Sequence, residues 1–168
     1  TIYNLPGMTN AGTIRVSEGP VRVRPNQSSG FIVTAMYADK IDFLSTDSMS
    51  CERSVQSPTS VPVDAVLLPG ERLAVLGRAS GELYIQESKN TSSWHNIALV
   101  GEPLALFPIG QEHLLVATRS GLWQFDIQHY TRINGLNISL TDAIFDGQRI
   151  YILHDSIINT LDTDLNLR

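Results

Sequence analysis

The feature that most constrains this chain is a strand–turn–strand phrase that returns about every forty residues. Leu73-Ala74-Val75-Leu76-Gly77-Arg78-Ala79-Ser80-Gly81-Glu82-Leu83-Tyr84-Ile85 aligns with Leu114-Leu115-Val116-Ala117-Thr118-Arg119-Ser120-Gly121-Leu122-Trp123-Gln124-Phe125, and their Ser-Gly steps lie forty residues apart. A third copy runs over 149–158 and a weaker fourth over 31–43. Upstream of three copies sits the same turn chemistry, Leu68-Pro69-Gly70, Phe107-Pro108-Ile109-Gly110 and Phe145-Asp146-Gly147. Gly and Asp-Gly supply the positive φ of tight hairpins. A unit repeated at fixed period buries its faces against its neighbours, so the repeat implies an array.

Each unit reads as four strands, A to D. In the second, A covers about 64–68, B 73–77, C 82–87 and D 94–99; in the third the spans are 104–107, 114–118, 122–127 and 130–133. The strands are rich in Val, Ile, Leu and aromatic residues and are bounded by Gly, Pro, Asn and Ser. No window of ten residues carries a helical period. The B strands are apolar on both faces, as strands sandwiched between sheets are. The D strands are more polar, with His95 and Arg132, as outer edges are.

A repeated four-stranded unit of this length resembles the blade of a β-propeller. The stretch 112–126 is similar to blades of bacterial sensor ectodomains and of WD40-like propellers, although Trp-Asp and Gly-His signatures and kelch double glycines are absent. The resemblance covers 20–168 and implies an all-β fold of four four-stranded blade-like repeats. Their expected bounds are 20–60, 61–101, 102–139 and an incomplete 140–168. Residues 1–19 form an N-terminal segment in which Gly12-Thr13-Ile14-Arg15-Val16-Ser17 has strand character and is a candidate ring-closing D strand. Four blades are few for a ring, and the four-bladed hemopexin-like rings carry a disulfide that a chain with one cysteine cannot form. The expectation is therefore part of a larger or composite propeller, with a closed four-blade ring as the alternative.

Composition narrows the function classes. The chain is 42% hydrophobic and 17% charged with net charge −5, a globular balance that disfavours nucleic acid as a partner. No apolar run is long enough to span a bilayer as a helix. Cys51 is the only cysteine, which excludes an internal disulfide and a cysteine-built zinc site. That cysteine usage tilts the reading towards an intracellular setting, with an extracellular or periplasmic one left open. Three sequons, at Asn26, Asn90 and Asn137, are close to chance in a Ser/Thr-rich chain.

Candidate site residues follow from the resemblance, since propeller ligands bind where loops of one face converge. Aligned by the Ser-Gly step, the B-to-C turns place Tyr37, Arg78, Thr118 and His154 in equivalent positions, followed by Arg119 and Asp155 in two of them. Such a set suits an acidic peptide or carboxylate through bidentate Arg. Ordinary turn polarity is the competing reading. Arg22 and Arg24 share one strand face and offer a second place for an acidic partner.

The catalytic constellations do not assemble. His154-Asp155 has no nucleophile elbow. Asp162-Thr163-Asp164-Leu165-Asn166 starts like a calcium loop and lacks the Gly and Glu that complete one. The stretch 87–94 keeps only the closing Ser93-Trp94 of the Asp-box turn of sialidase-like propellers. No catalytic residue, metal site or cofactor is expected. The reading is a non-catalytic protein-interaction scaffold, partnered by another protein or by further blades of the same parent. A ligand- or glycan-binding sensor propeller is the alternative, and a propeller hydrolase comes third.

Overall fold

The computed structural model describes residues 2–4, 9–26, 30–89 and 91–168. A short hairpin, β1 (Ile2–Asn4) with β2 (Thr9–Gly12), precedes four antiparallel sheets. The first sheet is β3 (Pro20–Pro25), β4 (Gly30–Ala35), β5 (Lys40–Ser45) and β6 (Ser50–Gln56). The second is β7 (Pro62–Leu68), β8 (Arg72–Gly77), β9 (Glu82–Gln86) and β10 (Trp94–Ala98). The third is β11 (Pro103–Ile109), β12 (His113–Thr118), β13 (Gly121–Asp126) and β14 (Thr131–Asn137). The fourth has three strands, β15 (Asp142–Phe145), β16 (Ile150–His154) and β17 (Ile157–Leu161). Every sheet is a meander in chain order, which is the blade of a propeller.

The sheets stack in chain order, and each join has its own core. Ile32, Ile41 and Phe43 of the first sheet pack on Ala65, Leu73 and Val75 of the second. On the opposite face of β8, Ala74 and Leu76 join Leu106, Leu114, Val116, Trp123 and Phe125 of the third sheet. Ala105, Phe107, Leu115 and Ala117 then meet Ala143, Ile150, Ile152 and Leu161 of the fourth. Alternate residues of one B strand therefore serve two different cores, which is why the B strands read as apolar on both faces. The D strands β6 and β14 are largely exposed.

The innermost strands share a signature. Pro20, Pro62 and Pro103 open β3, β7 and β11, and each is followed by a register shift against its neighbour. Proline is tolerated there because the strand's first residue and free edge need no ladder donor. Beyond the shift, cross-strand register makes Arg22, Asp64, Ala105 and Asp142 equivalent.

Asp64 ties three sheets together at this inner edge. It is fully buried. Its carboxylate accepts from Arg24 Nε at 3.1 Å and Nη2 at 2.5 Å, and from the Leu106 N–H at 2.9 Å. Arg24 Nη2 also donates to the Leu106 carbonyl at 3.0 Å, and Arg22 Nη2 to the Leu104 carbonyl at 3.0 Å. The free-edge N–H and C=O of Leu106 are thus satisfied by side chains of the second and first sheets. The face that Arg22 and Arg24 share is turned inward onto Asp64 and β11, not outward to an acidic partner.

The arc is open. Consecutive sheets pack on one another, whereas among the described residues no such packing joins the first sheet to the fourth. The candidate ring-closing segment lies elsewhere: β2 pairs with β1, and Ser17 binds Asp42 of the first sheet through its N–H at 2.6 Å and its hydroxyl at 2.9 Å. Beside β17, a bridge between Leu161 and Leu167 begins the missing fourth strand.

Asp64→Ala leaves Arg24 Nε and the Leu106 N–H without an acceptor and the guanidinium charge without its counter-ion at this inner edge. It is expected to lower stability by about 3–5 kcal/mol, read from urea unfolding. A loss below about 1 kcal/mol, the value of an exposed ion pair, would show that solvent replaces the carboxylate.

Candidate functional site

The B-to-C turns and the D-to-A connections meet on one face of the arc. A backbone staple builds that face three times: the N–H of Met36, Arg78 and Arg119 donates to the carbonyl of Gly19, Val61 and Glu102 at 2.8, 3.1 and 2.8 Å. Each acceptor immediately precedes the proline that opens the inner strand of the same sheet. The staple fixes the true equivalence, which is Met36, Arg78, Arg119 and, by register, Asp155.

Alignment on the Ser-Gly step misses this by one residue, because the turns differ in length. The first two sheets use four-residue turns, 36–39 and 78–81, that close on Asp39 and Gly81 in the left-handed conformation. The last two use two-residue turns, 119–120 and 155–156. In the last, Asp155 and Ser156 both have positive φ, the pattern of a type I′ hairpin.

Four of the six candidate residues fall into two pairs, and Glu102 links the members of the first. Arg78 Nε lies 3.0 Å from one Glu102 oxygen and Arg119 Nε 3.9 Å from the other, with all three side chains about half exposed. Arg119 Nη1 also reaches the Thr141 carbonyl at 3.3 Å, spanning to the fourth sheet. His154 Nδ1 and Asp155 form a separate pair at 3.6 Å. Tyr37 is 73% exposed, and its ring lies over Gly19, where a Cβ would collide with it.

Thr118 does not belong to the exposed set. It is fully buried, and its hydroxyl donates to the Val100 carbonyl at 2.7 Å while accepting from Trp123 Nε1 at 3.0 Å. Its role is to satisfy the indole of a core tryptophan. Glu102 carried no repeat signal in the sequence and was invisible to turn alignment; only its place before Pro103 marks it.

The other motifs resolve into local structure. Asp162 accepts the Asn166 N–H at 2.9 Å and pairs with Arg168 at 2.7 Å, so the calcium-like run is a turn closed on its own backbone. The Asn166 N–H, first among its partners, holds the Asp162 carboxyl below the usual range. On the C-to-D turn of the third sheet, the His129 side chain and the N–H groups of residues 128 and 129 hold Asp126 at about 2. Among the described residues no group of three or more His, Cys, Asp or Glu side chains is placed to hold a metal ion. Of the sequons, Asn90 and residues 27 and 28 lie outside the described residues, as does part of the Asp-box-like stretch. A rim cleft of about 390 Å³ between the first two sheets is lined by Arg53, Glu71, Gln86, Lys89 and Trp94. Lys89 and Glu71 neutralise one another there at 2.7 Å.

Two substitutions separate support from recognition. Thr118→Val should cost about 1–3 kcal/mol of stability, because the buried Trp123 N–H loses its acceptor, without altering the charge of the face. Glu102→Gln should leave stability within about 0.5 kcal/mol and free both guanidinium groups. Salt-sensitive binding of hexaglutamate in calorimetry should then rise in Glu102→Gln and vanish in Arg78→Ala/Arg119→Ala.

No family profile matches the sequence, and no curated protein sequence matches it. The fold has many solved counterparts. Hydrazine synthase from Kuenenia stuttgartiensis superposes over 92% of this chain with TM-score 0.69 and 12% identity. KlHsv2 with loop 6CD replaced by a Gly-Ser linker does so over 88% with TM-score 0.65 and 16% identity. A streptogramin B lyase does so over 90% with TM-score 0.70 and 11% identity. The chain spans 49%, 50% and 54% of those three chains, about half of each. These are propeller folds, and at such identities the likeness is one of fold alone.

Proposed function

We propose that the chain is a non-catalytic interaction module, an arc of propeller that serves as a scaffold in a larger protein or assembly. The observation that carries this reading is the apolar surface left at both ends of the arc. On the first sheet Val21 and Val23 are 44% and 57% exposed, beside a cleft of about 390 Å³ lined by Ile14, Val16, Phe31, Val33 and Leu44. On the fourth, Ile144 and Ile158 are 60% and 71% exposed, around a hollow of about 170 Å³ bounded by Tyr151 and Leu153. Apolar surface gathered on two sheet faces, unlike scattered exposed residues, marks an interaction surface. At every interior join the equivalent faces are covered by another sheet.

A second reading rests on the Arg78–Glu102–Arg119 cluster, which is half exposed and carries net positive charge on an otherwise acidic chain. It suits a sensor of acidic ligands, with Glu102 as the internal competitor for the two guanidinium groups.

The scaffold reading is tested with anilinonaphthalene sulfonate at dilutions where light scattering gives the mass of one chain. The folded monomer should bind the dye strongly. Val23→Lys/Ile158→Lys should lose more than half of that fluorescence with its far-ultraviolet dichroism unchanged. A folded monomer that binds no dye, or whose dye binding ignores both lysines, removes the basis of the scaffold reading.

A further inference from the structure

The joins between sheets are not filled alike. The prolines that open β3, β7 and β11 pair with Ala35, Gly77 and Thr118, which puts the three sheets in one frame. In that frame Arg53, opposite Phe43, is equivalent to His95, opposite Ile85. Gln86 is equivalent to Phe125, each one residue beyond the matching pairs Ala74–Ile85 and Leu115–Gln124. Counted back from Trp94 and Arg132, which pair with Gln86 and Phe125, Ser92 stands where Tyr130 stands. Two rings therefore close the join of the second and third sheets: Phe125 lies in its core, and Tyr130 stacks on His95 with centroids 3.7 Å apart. The join of the first and second sheets has Gln86 and Ser92 in their places. The space beside Phe125 is about 140 Å³, and that beside Gln86 is about 390 Å³.

A buried glutamine where the next sheet packs a phenylalanine must be anchored, because a polar group buried without partners is costly. Gln86 Oε1 accepts the Leu73 N–H at 3.2 Å, and its Nε2 donates to the Thr91 carbonyl at 2.7 Å. One amide N–H remains for another acceptor. The Arg53 guanidinium lies over the Phe43 ring, 3.7 Å from its centroid, and enters no ion pair or hydrogen bond among the described residues. Glu71 is taken by Lys89 at 2.7 Å, so Arg53 is left as the uncompensated cation of the cleft. Half-buried Trp94 lines the same cleft, and its indole N–H has no acceptor among the described residues.

We propose that this cleft is a binding site for a carboxylated sugar, a single acidic pyranose ring. A guanidinium presents a fork that matches a carboxylate in two parallel hydrogen bonds, and stacking on Phe43 holds that fork in place beforehand. One uncompensated cation matches one carboxylate, and Glu71 opposes the second charge of a phosphate ester. Trp94 offers apolar surface to the C–H face of the ring together with a free donor. The remaining Gln86 N–H, the Ser92 hydroxyl and Glu71 suit hydroxyl groups, which an aromatic carboxylate of similar size lacks. The volume lies at the lower end of small-molecule sites, enough for one ring. The cleft sits within an interior join, at the opposite end of the strands from Arg78 and Arg119, so the site is independent of the scaffold ends and of the charged face.

Trp94 and Trp123 are the only two tryptophans, which makes the test local. In proton–nitrogen correlation spectra of the isotope-labelled chain, D-glucuronate should shift the Trp94 indole signal with a Kd of about 1 mM. The signal of Trp123, buried and bonded to Thr118, should stay in place. D-glucose, without the carboxylate, and benzoate, without the hydroxyls, should each bind at least about tenfold more weakly. Arg53→Gln and Ser92→Tyr both fall at exposed positions, and circular dichroism should report an intact fold. The first should weaken glucuronate about tenfold. The second should abolish binding, because it restores the ring that closes the next join. A Trp94 signal that ignores glucuronate well above that Kd, or a response that survives either substitution unchanged, overturns the site. Benzoate bound as tightly as glucuronate overturns the sugar, and glucose bound as tightly overturns the carboxylate and the part given to Arg53.

Discussion

A sheet whose inner strands are apolar on both faces must be covered on both, and the architecture follows from that constraint. Leu73 and Val75 of β8 belong to one core while Ala74 and Leu76, their neighbours in sequence, belong to another. No two-layer sandwich satisfies such a strand, because a sandwich leaves one face of each sheet to water. Stacking sheets in series satisfies every interior one and transfers the debt of burial to the ends. Each fully buried Leu, Ile or Val contributes about 1.5–3 kcal/mol, so the side chains left at the two ends are a large term in the energetics of this chain.

Series packing creates a second demand at the inner edge. The first strand of each sheet has a ladder on one side only, and its other backbone groups point towards the axis, away from most water. Leu106 answers through Asp64 and Arg24. A buried carboxylate–guanidinium pair is weak support by itself, since desolvation offsets much of its attraction. Here its members also satisfy main-chain groups that would otherwise be orphaned, which makes the pair specific for one arrangement of three sheets. The series Arg22, Asp64, Ala105, Asp142 shows that this solution is local and not a strict repeat.

The fold was legible because burial is periodic. Alternation in the B and C strands, Gly and Asp-Gly at the turns and the forty-residue spacing all report the same unit, and they agree. Side-chain roles were less legible, because identical turn residues serve turns of different length. Ser80-Gly81 ends a four-residue turn, whereas Ser120-Gly121 spans the end of a two-residue turn and the first residue of β13, where a Cβ would meet the Leu136 carbonyl. That difference shifted Thr118 into a set of exposed residues to which it does not belong. Arg22 and Arg24 looked like a surface pair because their acceptor, Asp64, lies forty residues downstream, with no local pattern to announce it. The Pro20, Pro62 and Pro103 spacing was the available signal for strand A, and Glu102 is readable only once that spacing is taken as the frame.

The two candidate surfaces differ in what they can contribute to association. The Arg78–Glu102–Arg119 cluster is half exposed, and pairs of that kind contribute about 0–1 kcal/mol each, less as salt rises. Charge on that face steers an encounter and selects its orientation. The exposed apolar residues at the end faces, Val21 and Val23 on one and Ile144 and Ile158 on the other, would contribute only where a partner excludes water from them. A partner recognised by the charged face alone would bind weakly and leave both ends wet. A partner that covered the ends would satisfy the same physical demand that built the interior joins, and the charged face would then add orientation more than affinity.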